Sequence, residues 1–258
     1  MDKLGKKRIL LKIGSNVLTK ETNHISRGKI EDIACQIADL RDEYEFVIVT
    51  SGAIAVAKQF VQLESNGKEI NVKQALASIG QPHLMRIYQE SFRELGLLTS
   101  QCLLSYSDFK KVESRTNIKN TINVLVENSY IPIINENDTV ATDEIKFGDN
   151  DKLSALAAEL LNVDLLIIAT NTNGIYMKES INSEKVKTIR ETSDIQLLRD
   201  QIQTSVSLHG TGGMSAKIEA SEIAQNATIE TWIVNGLKDN FVVNAMKNKS
   251  EFTKITVK

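Results

Sequence analysis

Tyr130-Ile131-Pro132-Ile133-Ile134-Asn135-Glu136-Asn137-Asp138, followed after a short gap by Gly148-Asp149-Asn150-Asp151, decides how the chain is read. Tyr130 to Ile134 is aromatic and β-branched, as a buried strand is, and Leu153 to Leu161 repeats apolar residues at helical spacing. Two polar clusters therefore occupy a strand-to-helix connection. In an open parallel sheet such connections line the crevice at the carboxyl ends of the strands, where ligands bind. The plainer alternative is a solvated acidic loop whose Asn and Asp residues form turns and helix caps.

The pattern repeats on both sides of this stretch. Ile9 to Ile13 is an apolar strand interrupted by Lys12 and ending in Gly14-Ser15-Asn16. A strand lysine is costly to bury unless it meets an anion, whether a neighbouring carboxylate or a ligand. Ser26 is placed to cap a helix carrying Ile30, Ile33, Ile37 and Leu40. Phe46 to Thr50 forms a second strand, breaking into Ser51-Gly52-Ala53 before a helix of small residues. Small residues there admit either a ligand to the backbone or close strand–helix packing. A polar loop is expected over 64–72, then a helix over 73–95 broken or kinked at Gly80-Gln81-Pro82. Leu97 to Leu104 reads as a strand, 105–116 as a polar connection, and 117–128 as a helix.

Asp164 to Ala169 is a further buried strand ending in the polar turn Thr170 to Gly174. Residues 180–193 read as surface excursions. His209 to Lys217 reads as a glycine-rich loop entering a helix that runs to Ala227, and 231–234 and 252–257 supply closing strands. Glycines that expose backbone N–H groups, a helix start and Lys217 suit a phosphate, although a flexible structural loop has the same composition. The phosphate-loop, dinucleotide and protein-kinase motifs are absent. Alternating strands and helices imply an α/β fold, a three-layer α/β/α sandwich with a mostly parallel central sheet.

Composition narrows the partners. The 258 residues are 41% hydrophobic and 25% charged with a formal net charge of -2, so no field of one sign points to nucleic acid or a membrane. The charged start, Met1 to Arg8, is unlike a signal peptide, and no apolar run approaches the roughly 20 residues that span a bilayer. A cytoplasmic protein is expected. Cys35 and Cys102 sit in apolar surroundings and read as small core residues.

Lys12-Ile13-Gly14-Ser15-Asn16, Val49-Thr50-Ser51-Gly52-Ala53, Asn135 to Asp138, Gly148 to Asp151 and Gly210-Thr211-Gly212-Gly213-Met214-Ser215 with Lys217 together resemble the amino acid kinase family. The likeness runs the length of the chain in the right order, and its central loops match the branch that acts on glutamate. The resemblance implies ATP-dependent phosphorylation of the γ-carboxylate of L-glutamate, with Mg²⁺ held mainly by phosphates and water. It implies Lys12, Lys217 and Asp151 as catalytic residues, the aspartate holding the two ammonium groups. Ser51, Gly52, Asp138 and Asn150 would bind the amino acid. Lys12, Thr170, Asn171, Thr211, Gly212, Gly213, Met214, Ser215, Ala216 and Lys217 would bind the nucleotide.

By the same likeness residues 1–258 form one domain, mainly amino-acid binding before about residue 164 and mainly nucleotide binding after it. A homo-oligomer and feedback inhibition by L-proline are implied. Two departures stand out: Asn171 replaces the usual aspartate, and the chain is too short for the carboxy-terminal RNA-modification-like domain of many members. Rival readings are kinases of the same family acting on acetylglutamate, carbamate or nucleoside monophosphates, and a noncatalytic amino-acid sensor.

Overall fold

The structure is a computed structural model that describes residues 5–20, 24–63, 69–140, 150–181, 183, 186–202 and 211–258. In chain order its elements are β1 (Lys7–Ile13), α1 (Ser15–Leu18), α2 (Arg27–Leu40), β2 (Tyr44–Val49), α3 (Ala53–Ala57) and α4 (Glu69–Arg93). There follow β3 (Leu98–Leu104), α5 (Val112–Glu127), β4 (Tyr130–Glu136), α6 (Asp151–Leu161), β5 (Leu165–Thr170) and β6 (Glu191–Thr192). The chain closes with α7 (Ile195–Ile202), α8 (Thr211–Asn226), β7 (Glu230–Asn235), α9 (Phe241–Met246) and β8 (Thr253–Ile255).

The strands form one sheet in the order β3-β4-β2-β1-β5-β7-β8-β6, parallel except where β7 meets β8. Strand alternation assigns the two cores. Ile9, Leu11 and Ile13 face a layer that includes α2, α4 and α9, while Leu10, Val47 and Val49 face α5, α6 and α8. The three-layer α/β/α sandwich read from the sequence is the observed architecture. From the central β1 the chain moves outward to β2, goes on to the edge strand β3 and comes back to β4 between them, then places β5 on β1's other side. That reversal opens a crevice at the carboxyl ends of β1 and its neighbours.

Several local expectations are corrected. Helix α4 begins at Glu69 and runs without interruption through Pro82. Pro82 lies on the solvent face, where the carbonyl it leaves unpaired reaches water. Gly80 is required on the opposite face, because a Cβ there would stand 1.8 Å from the carbonyl oxygen of Ala53. The polar segment after β3 is ordered by Asp108, whose Oδ2 accepts from Ser105 N at 2.7 Å and Ser105 Oγ at 2.9 Å, and α5 then starts at Val112. In the 180–193 segment Ile189 is buried and β6 joins the sheet beside β8. Cys35 is exposed and Cys102 half-buried, so neither is a core residue.

Candidate functional site

Lys12 ends the inward alternation of β1 almost fully buried, with its ammonium 2.5 Å from Asp151 Oδ1. Asp151 is the first residue of α6 and has no exposed surface. Its second oxygen takes Lys217 Nζ at 2.7 Å, and Lys217 also donates to the Gly213 carbonyl at 3.1 Å. Residues from the beginning, middle and end of the sequence thus meet on one carboxylate. Removing that carboxylate would leave buried charge uncompensated, a loss of about 3–5 kcal/mol where such pairs are broken.

The expected glycine-rich loop is differently built. Gly213 to Lys217 already lie inside α8, which starts at Thr211; Gly148, Asp149 and Gly210 fall outside the described residues. Glycine costs about 1 kcal/mol in a helix, and here the packing of α8 on α6 outweighs it. Ser221 Oγ accordingly donates back to the Lys217 carbonyl at 2.7 Å, and Ala220 and Ala224 are buried in the core shared with α6. Thr170 ends β5, its carbonyl accepting from Gly236 N at 2.8 Å, and Asn171 follows it at the same edge.

The acceptor-side residues are held by a different set of contacts. Thr50 hydrogen-bonds through its amide to Ile134 O at 2.9 Å and through its hydroxyl to Tyr88 at 2.9 Å, fixing the turn that carries Ser51 and Gly52. Gly52 has φ 106°, a conformation that favours glycine, and caps α3. Asn150 Nδ2 donates to Thr50 O at 2.6 Å and Asn135 Oδ1 at 2.8 Å, with Ser51 Oγ at 3.3 Å. Of these residues Ser51, Gly52, Asn135 and Asn150 wall a cavity of about 770 Å³ that is also lined by Ser15, Asn16, His24, Lys58, Glu136 and Asp138. Burial pushes the Asp138 carboxyl up to about 6.

Lys12, Asp151 and Lys217 do not line the cavity, but the chain joins them to it: Asn150 precedes Asp151, and Ser15 lies three residues beyond Lys12. A Cβ on Gly14 would be 3.6 Å from Lys12 Nζ, an ordinary van der Waals contact, so the turn runs directly past the ammonium. All the cavity's lining residues come from the half of the chain before Asp151, whereas Thr170, Asn171 and α8 lie beyond it in sequence. Sequence reasoning assigned no role to Asn135, which lines the cavity, or to Gln81 and Tyr88, which brace it from behind. Asn135 stood within a quoted motif, but nothing in a helical sequence marks Gln81 or Tyr88 as facing a polar site. No group of three or more His, Cys, Asp or Glu residues is arranged to hold a metal ion among the described residues.

Comparison with known proteins places this geometry in a family. Residues 7–235 match the model of the amino acid kinase family. The chain is 37% identical over 249 residues to a glutamate 5-kinase of Alkaliphilus metalliredigens, covering 96% of this chain and 94% of that one. It is 36% identical over 255 residues to a glutamate 5-kinase of Bacillus anthracis, covering 97% of this chain and 69% of that one. Among solved structures, carbamate kinase from Giardia lamblia bound to AMP-PNP superposes with a TM-score of 0.70 at 15% identity, covering 98% of this chain and 99% of that one. UMP kinase from Ureaplasma parvum gives 0.66 at 17%, covering 98% and 100%. At such identities these two structures speak for the fold.

Proposed function

The chain belongs to the amino acid kinase family, and on that premise we propose that it transfers the terminal phosphoryl group of ATP to the side-chain carboxylate of L-glutamate. The product is L-glutamyl 5-phosphate, and the reaction is the first step of proline biosynthesis. The observation that carries this reading is the pair of ammonium groups, Lys12 and Lys217, gathered on the buried Asp151 carboxylate beside a polar cavity.

Phosphoryl transfer demands little covalent chemistry of a protein. It needs two anionic reactants held in line and the charge of the moving group neutralised. Lys12 and Lys217 supply fixed positive charge, and because Asp151 holds both, little reorganisation is needed when the transition state forms. Asp151 acts through the lysines as a positioning residue. A carboxylate acceptor is already ionised near neutral pH, so the step requires no protein base.

Ser51, Gly52, Asp138 and Asn150 hold glutamate, in a cavity whose volume is within the range of small-molecule sites. Thr170, Asn171 and the residues from Thr211 to Lys217 serve ATP. Mg²⁺ is carried mainly by the nucleotide phosphates and water and offsets their charge. This divides the single domain into an amino-acid half and, from about residue 164, a nucleotide half. Self-association belongs to the same reading, as does inhibition by L-proline, whose ring ammonium suits Asp138 as the glutamate ammonium does.

The test is ADP release from ATP and Mg²⁺ with L-glutamate, acetylglutamate, aspartate, carbamate or UMP, with hydroxylamine present to trap an acyl phosphate as its hydroxamate. Glutamate-dependent ADP together with hydroxamate is the expected result. Turnover with another acceptor would overturn the substrate, and glutamate binding without any turnover would overturn the enzyme. Sedimentation and added proline test the remaining parts.

A further inference from the structure

Behind the cavity, four amides form a chain that runs in one direction. Asn150 donates to Asn135 Oδ1 at 2.8 Å, Asn135 on β4 donates to Gln81 Oε1 at 2.7 Å, and Gln81 on α4 donates to Gln101 Oε1 on β3 at 3.1 Å. The direction is imposed by the backbone. Asn150 Nδ2 faces the Thr50 carbonyl, which only accepts, and Asn135 Oδ1 faces the Glu136 N–H at 2.9 Å, which only donates. Neither amide can turn over without setting like against like.

The consequence falls on Asn150. Its two N–H groups are committed to Thr50 and Asn135, and its oxygen, although the residue stands at the start of α6, caps no backbone N–H among the described residues. What this cavity-lining side chain has left for a ligand is therefore an acceptor. Asp138 lines the same cavity with a second acceptor group. Two acceptors suit an ammonium and disfavour a carboxylate. In the reversed orientation Asn150 would offer donors, and the preference would invert.

We propose that Gln81 is a positioning residue for specificity: by accepting from Asn135 it holds in place the Asn135 oxygen, which together with the Thr50 carbonyl takes the two N–H groups of Asn150, so that the Asn150 oxygen and Asp138 serve as a subsite for the α-ammonium of an amino-acid acceptor. This rests on the reading of the cavity as the acceptor site. Gln81 and Asn135 are themselves buried. With an apolar side chain at 81, the Asn135 Nδ2 group loses its buried acceptor and must leave its place to find another. One of the two acceptors that hold Asn150 goes with it, and the Thr50 carbonyl alone fixes the amide less tightly.

The experiment measures, by calorimetry, binding of L-glutamate and of glutarate, which is glutamate without its ammonium, to wild type, Gln81→Leu and Gln81→Glu, with ATP binding as control. Gln81→Leu should weaken glutamate about tenfold while glutarate and ATP stay within about twofold. Gln81→Glu, which keeps an acceptor for Asn135, should bring glutamate back to within about threefold of wild type. If circular dichroism shows Gln81→Leu unfolded, Gln81→Met carries the same expectation.

Unchanged glutamate binding in Gln81→Leu, or equal weakening of glutamate and glutarate, overturns the proposal. So does a wild type that binds both equally. The expected binding pattern without glutamate-dependent turnover upholds the ammonium subsite and overturns only the kinase reading, whereas a wild type that binds neither overturns both.

Discussion

Lys12 and Lys29 are both buried and paired with aspartate, yet they belong to mirror-image arrangements. Lys12 shares one carboxylate, Asp151, with a second ammonium, Lys217. Lys29 is itself shared between two carboxylates, Asp32 and Asp239, each at 3.1 Å, and also donates to the Lys238 carbonyl at 3.0 Å. Asp32 in turn accepts from Asn240 N and the Gln36 amide, and Gln36 accepts from Val242 N. That network ties α2 to the entry of α9, and none of its members lines the cavity. Burial and pairing are common to both sites. What separates them is which charge is gathered and what lies beside it: a doubled cation next to a polar cavity is poised for an anion, whereas a cation between two anions is a clamp.

The comparison breaks most severely at Asp151. Asp151→Asn should cost about 3–5 kcal/mol of stability, read as a lower midpoint in urea, and turnover should fall with it. Little change in either would mean that the lysines do not depend on this carboxylate. Lys217→Ala should reduce kcat by about 10²–10³ with the fold retained by circular dichroism. A correctly folded variant with near-normal turnover would remove Lys217 from the chemistry.

Lys29→Met tests the other half. It should lower stability by about 1–3 kcal/mol, because the groups around it lose their donor, and leave kcat within about twofold. A large loss of kcat would erase the distinction drawn here.

Asp138→Asn should raise the KM for glutamate about tenfold, roughly 1.4 kcal/mol, and leave the KM for ATP alone. Because burial raises the Asp138 carboxyl to about 6, the wild-type KM for glutamate should fall as pH rises through 6, and the variant should lose that dependence. The same shift has the opposite sign for folding. Between about 4 and 6 the folded protein holds this proton more tightly than the unfolded chain, so this group's contribution to stability decreases as pH rises across that window. A KM that ignores pH near 6 would separate Asp138 from substrate binding.

Much of this was legible in the residues. Apolar runs ending in polar turns marked the strands later seen as β1, β2, β4 and β5, since a central parallel strand is buried on both faces and tolerates little else. Lys12 and the Asn-rich stretch stood out because a polar group in such a place needs a partner. Legibility ended where tertiary packing overrode local preference. Pro82 and Gly80 read as a break, but one faces solvent and the other admits the Ala53 carbonyl, so α4 continues. Gly213 read as loop, but α6 and the Lys217–Asp151 pair draw it into α8.

The sequence by itself determined the α/β layering and marked Lys12 as a strand lysine in need of an anion, because those depend on periodicity and on the cost of burying charge, while Asp138, Asp151 and Lys217 were assigned roles by the family resemblance. Only the tertiary structure decided that Lys12, Asp151 and Lys217 touch, and that Asn150 donates to the Thr50 carbonyl and to Asn135, which donates in turn to Gln81. Those depend on the through-space distance and orientation of groups far apart in the chain, and hydrogen-bond donors and acceptors discriminate by direction as well as by kind.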